Sequence, residues 1–289
     1  MAAGAGTFDR AALRQLLLLG TGALAFVLLL MLLLAWAADS TGTGSASKPA
    51  IDTDSGTITL LLREEPPQLN SMLATDQVSS MVLGHVMQGL LRYDGQGRLV
   101  PGVAERWQID AAGATFHLRA DARWSDGEPV TAHDFVFAWR TVVDPASASQ
   151  YAFILFPIRN AEAIATGQLP VTELGVRAVD DRTLAIEFER PIAHFEKLVA
   201  YNTYYPVRES FHRTTQGRYG ADHDKMLYNG PFTITRWVHG AQLRMEKNPH
   251  YWDRERIRLN VIDFAYFTED PGTQVNLFKD GRVALTGLG

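Results

Sequence analysis

From residue 57 onward, apolar and polar positions fall into patterns that switch between a period of two and a period near 3.6. Ile58-Thr59-Leu60-Leu61-Leu62 is an almost wholly apolar run stopped by Glu64-Glu65-Pro66-Pro67, which predicts a largely buried strand. Val78, Met81, Val82, Val86 and Leu90 follow helical spacing and predict a helix from about Val78 to Gly89. Thr115-Phe116-His117-Leu118-Arg119 alternates as a half-buried strand does. Thr131-Ala132-His133-Asp134 reads as a capping box opening a helix through Phe135, Ala138, Trp139 and Val142, which Asp144-Pro145 ends. Residues 176–179 and 184–188 predict a hairpin around Asp180-Asp181, and Ile192, Phe195, Leu198 and Val199 a short helix. A second hairpin is expected from 232–237 and 243–246 with its turn near Gly240. A strand over 261–267 and a helix before Asp280-Gly281 follow. The strand order is interrupted, so the expected fold class is mixed α/β without a simple doubly wound succession.

The first 56 residues obey a different pattern. Residues 16–38 are apolar except for Thr21, and Arg10 and Arg14 precede them. A helix of that length spans about 34 Å, enough for a bilayer core. Positive charge before the run and Asp39 after it predict residues 1–15 in the cytoplasm and the remainder exported. The run reads as a retained transmembrane anchor or, through Ala35-Trp36-Ala37, as a cleaved signal segment. Residues 39–56, rich in Ser, Thr and Gly, read as a flexible linker.

Charge and composition narrow the function classes. Lys and Arg number 27 against 32 Asp and Glu, for a net charge of -5, with no basic tract to track a nucleic acid. The absence of cysteine excludes disulfides, thiolate metal sites and a lipidated cysteine anchor. There is no Gly-x-Ser-x-Gly elbow, no phosphate-binding loop and no His-Glu-x-x-His, so no catalytic residue, metal or cofactor is assigned. Asp222-His223-Asp224 has metal-like composition, but adjacent side chains diverge on a regular element and a solvated loop is expected. Trp107, Trp124, Trp139, Trp237 and Trp252 fall where a core is expected. Tyr201, Tyr204 and Tyr205 either line a cleft or pack a crossover; the sequence leaves both open.

The order of several segments is more specific than any one of them. Pro101-Gly102-Val103-Ala104-Glu105-Arg106-Trp107 precedes Phe116-His117-Leu118-Arg119. Then comes Ala122-Arg123-Trp124-Ser125-Asp126-Gly127-Glu128-Pro129-Val130-Thr131-Ala132-His133-Asp134-Phe135. Ser149-Gln150-Tyr151-Ala152, Leu174-Gly175-Val176-Arg177-Ala178, Asn229-Gly230-Pro231-Phe232 and Lys247-Asn248-Pro249-His250-Tyr251-Trp252 follow in turn. From about Thr57 to its end the chain resembles the family 5 extracellular solute-binding proteins, and their oligopeptide-binding branch best.

The resemblance implies a periplasmic-binding-protein-like fold of type II. A first lobe (57–87 and 209–289) would be incomplete, an accessory lobe (88–208) would be inserted in it, and a second major lobe would be absent. It also implies that Tyr151 and the strip Thr75-Asp76-Gln77 contact a peptide held between lobes as an added strand. The family pattern has a carboxylate at the position of Thr75, and tyrosine and asparagines at the position of Thr286-Gly287-Leu288-Gly289. The expected partners are a peptide, the permease subunits of an ABC importer and, through 16–38, the inner membrane. The expected location is the extracytoplasmic face. The alternative is a truncated, membrane-anchored interaction or sensor scaffold without transport.

Overall fold

In the computed structural model, residues 26, 27, 29–31 and 49–287 are described. They fall in two units, Met1–Lys48 and Pro49–Gly289. In the first, residues 26, 27 and 29–31 are helical with exposed side chains. The anchor or signal reading of 16–38 lies mostly outside the described residues, as do 1–15 and the start of the linker. Among the described residues no helix is long and apolar enough to cross a membrane.

The second unit begins with β1 (Ile51–Asp52) and β2 (Thr57–Leu62), paired antiparallel. This corrects the linker reading at its C-terminal end. The Asp52 carboxylate accepts hydrogen bonds from the Asp54 and Ser55 main chain, and Gly56 takes φ of 66°, so a run of small polar residues closes a tight turn. Ala50, just before it, is buried.

The helix expected near Val78 runs from Gln77 to Val86, capped at its start by the Asp76 carboxylate accepting from Ser79 N at 2.7 Å. It ends before Gly89 because Met87 is extended and leads into β3 (Leu91–Tyr93), which pairs with β4 (Leu99–Pro101). Neither short strand carries a periodic signal. A four-stranded sheet follows from β5 (Ala104–Ile109), β6 (Gly113–Leu118), β7 (Val176–Asp180) and β8 (Thr183–Glu187), in the order β5-β6-β8-β7 and antiparallel throughout. Burial alternates strictly along β6, and the sheet meets the Ala132–Val143 helix and its aromatic core through β7 and β8. There Trp139 lies edge-on to Phe135 and Tyr204, with ring centroids at 6.2 and 5.0 Å.

The chain then returns through β9 (Phe232–Val238), β10 (Gln242–Lys247) and β11 (Val261–Phe267). These join the first two strands in a five-stranded sheet of order β1-β2-β11-β10-β9, in which β2 and β11 run parallel. A helix over Pro271–Lys279 closes the described chain.

Several of the ordered segments noted in the sequence hold these parts together. Trp124 Nε1 and Thr131 N both donate to the buried Asp134 carboxylate, at 3.1 and 2.8 Å, fixing the loop before the Ala132–Val143 helix onto its first turn. Trp252 Nε1 and the Tyr251 hydroxyl engage opposite ends of the Gln88 amide, and the Arg119 guanidinium stacks 3.3 Å above the Trp252 ring. Trp124, Trp139 and Trp237 are buried as expected, while Trp107 and Trp252 are half-buried.

Candidate functional site

Thr75 and Tyr151 lie 76 positions apart in sequence, and the fold brings them together. The Tyr151 hydroxyl donates to the Thr75 carbonyl at 3.2 Å. Beside it, Ser149 Oγ donates to the Met72 carbonyl at 2.7 Å, so two side chains of one segment grip the main chain of the other. The 69–77 segment can be gripped because it is irregular. Asn70 organises a turn through its carboxamide and carbonyl, accepting from Met72, Leu73 and Ala74 N–H, and Asp76 beyond it has extended backbone angles.

Each proposed contact residue has a distinct position. Thr75 is half-buried, and among the described residues neither its N–H nor that of Asp76 finds an acceptor. Asp76 sits at the helix start, where one of its carboxylate oxygens accepts from Ser79 N in the cap. Gln77 is exposed on the first turn. Tyr151 is half-buried and forms the centre of a ring cluster, 5.8 Å from Phe153 edge-on and 6.2 Å from Tyr201.

Of the three tyrosines left open by the sequence, two are packed inside and one stays at the surface. Tyr204 and Tyr205 are buried; Tyr204 donates its hydroxyl to the Ile154 carbonyl and its own carbonyl accepts from Trp139 Nε1. Tyr201 instead remains 38% exposed beside Tyr151. Partial burial, reinforced by Tyr151, pushes the Tyr201 phenol above its ordinary value, with Ser80 acting in the opposite direction. Ser80 is tied in turn to Asp76 O at 2.8 Å and to Asn202 Nδ2 at 3.3 Å. Phe153, 58% exposed, escaped the sequence reading because it lies in a short 3₁₀ turn without periodicity.

Elsewhere, Asp222-His223-Asp224 forms a surface turn in which Asp222 accepts from the His223 main chain and pairs with its ring. Among the described residues no group of three or more His, Asp or Glu is placed to hold a metal ion.

Comparison with known proteins gives this geometry a context. The family model for bacterial extracellular solute-binding proteins, family 5 (middle), matches residues 98–288. The oligopeptide-binding protein OppA of Bacillus subtilis is 34% identical over 234 residues, covering 80% of this chain and 43% of that protein. The probable deoxycholate-binding periplasmic protein YgiS of Escherichia coli is 35% identical over 226 residues, covering 77% and 42%. Among solved structures, the substrate-binding domain of an oligopeptide ABC transporter from Bacillus anthracis superposes with a TM-score of 0.78 at 42% identity, over 81% of this chain and 46% of that one. The chain thus spans about two-fifths of the length of these curated relatives.

Proposed function

Because the chain belongs to the bacterial extracellular solute-binding proteins, family 5, we propose that it binds a short peptide outside the cytoplasm and serves an ABC importer by passing that peptide to the membrane permease. The observation that carries this reading is the hydrogen bond between Tyr151 and Thr75. It joins the two segments that the family resemblance assigns to peptide contact, next to main-chain N–H groups that have no acceptor among the described residues. Unpaired main-chain donors at Thr75 and at the extended Asp76 suit a ligand that adds as a strand, with affinity from the backbone and tolerance from the side chains. Thr75, Asp76, Gln77 and Tyr151 are the proposed contacts, Asp76 through its main chain since its carboxylate holds the helix cap.

We further assign residues 57–87 and 209–289 to one lobe and 88–208 to another. In support, the five-stranded sheet draws β2, β9, β10 and β11 from the flanking segments, and the four-stranded sheet draws all its strands from the inserted one.

Titration calorimetry of the full chain against di- to pentapeptides tests the reading, with deoxycholate as a rival ligand. Saturable heat with peptides that weakens in the Y151F variant is expected. No peptide binding, or binding of deoxycholate alone, would overturn it.

A further inference from the structure

Three aromatic rings stand together at this site, and the core does not account for all of them. Tyr151 is flanked by Phe153 at 5.8 Å and Tyr201 at 6.2 Å, a contiguous surface in which Phe153 is 58% and Tyr201 38% exposed. Met81, on the adjoining helix that starts at Gln77, is 41% exposed as well. Exposed large apolar side chains are ordinary when they are scattered; ring-to-ring contact beside unpaired main-chain donors is not.

Several of the neighbouring polar side chains are already engaged. The Tyr151 hydroxyl is used on Thr75 O, Ser80 Oγ on Asp76 O, and the Asp76 carboxylate on Ser79 N. None of Thr75, Ser80, Tyr151, Phe153 and Tyr201 carries a formal charge at neutral pH, and Tyr201 is partly desolvated. An anionic ligand side chain placed there would lose hydration and face the Asp76 carboxylate, whereas an apolar one would cover ring surface.

We propose that Tyr151, Phe153 and Tyr201 form a side-chain subsite that selects ligands bearing an aromatic or large aliphatic group next to the backbone held by Thr75 and Asp76. This inference rests on the peptide-binding reading and goes further, because main-chain pairing alone predicts indifference to side chains. Edge-to-face contacts of a bound ring with Phe153 and Tyr201 would supply the preference.

Calorimetry of the full chain with Ala-Phe-Ala, Ala-Ala-Ala and Ala-Glu-Ala tests it. Ala-Phe-Ala is expected to bind about tenfold more tightly than Ala-Ala-Ala, and Ala-Glu-Ala no more tightly than Ala-Ala-Ala. In the doubly substituted variant F153A/Y201A, with its fold checked by circular dichroism, the gap should shrink below about threefold. The F278A variant, altered at a ring exposed on the Pro271–Lys279 helix, should keep it. Equal affinity for Ala-Phe-Ala and Ala-Ala-Ala would overturn the subsite while leaving peptide binding intact. Binding of none of the three would overturn both.

Discussion

The Asn229 carboxamide and the main chain of Gln88 exchange two hydrogen bonds, each 2.9 Å long, across 141 positions of sequence. Oδ1 accepts from Gln88 N and Nδ2 donates to Gln88 O, so one side chain replaces a strand partner for a residue that has none. Both residues are buried, at 3% and 5% exposure. The neighbouring Gly230 N donates to Val86 O at 3.0 Å, and a Cβ on Gly230 would come within 2.6 Å of Met87 N. Asn-Gly-Pro is therefore the joint at which the returning chain is fastened to the end of the Gln77–Val86 helix.

The N229A variant leaves a buried N–H and a buried C=O without partners and should lose about 2–4 kcal/mol of unfolding free energy. Urea denaturation followed by tryptophan fluorescence measures this. A loss below about 0.5 kcal/mol would mean that water satisfies Gln88 equally well.

Asp134 provides a pH test. Burial raises its pKa above the ordinary value of 3.8, partly offset by hydrogen bonds from Thr131 and Trp124. The native state therefore holds the proton to higher pH than the unfolded chain does, and this group's contribution to stability falls as pH rises from 3.8 through the folded-state pKa. In the D134N variant an amide oxygen can still accept from Trp124 and Thr131. Its stability relative to the parent should rise between about pH 4 and pH 7, and a flat difference across that range would contradict the desolvated carboxylate.

Glu65 gathers three donors: Trp237 Nε1 at 2.8 Å, Gly240 N at 2.7 Å and His239 Nδ1 at 2.5 Å. It thereby pins the β9–β10 turn to the segment after β2. Substitution E65A should cost about 1–3 kcal/mol, mainly through the stranded indole of the buried Trp237. The expected spectroscopic sign is an altered tryptophan emission in the folded protein.

Gly220 combines a φ of 74° with a Cβ position only 2.3 Å from Asn70 N. Its carbonyl accepts from Leu69 N at 2.8 Å, so the loop that carries it backs the turn leading to Thr75. The G220A variant should lose about 2–4 kcal/mol and weaken peptide binding without touching a contact residue. Thermal unfolding and calorimetry on the same sample check both effects.

Local signals in the sequence carried the regular elements well. The strand over 261–267 coincides with β11, and the capping box at Thr131 opens its helix, because hydrophobic period and capping chemistry act over a few residues. β1, β3 and β4 escaped because strands of two or three residues hold no full period. The family motifs were recognisable, but their purpose was not: Trp252 and Asn229 both serve Gln88, and no rule of spacing links residues so far apart. The same holds for the site. Tyr151 and Thr75 could be named through resemblance, whereas Phe153 gains its interest only from the rings the fold sets beside it.

The parallel pairing of β2 with β11 also dictates an order of events during synthesis. Every partner in the β5-β6-β8-β7 sheet lies at or before residue 187, so that sheet can zip up while translation of the remainder continues. β2 emerges early yet has only two-residue β1 to pair with until residue 261 appears. At about 5–20 residues per second, its other edge waits for some ten seconds or more. Leu60, Leu61 and Leu62 thus keep an apolar strand edge without its main partner through most of synthesis, a place where a chaperone would find a foothold.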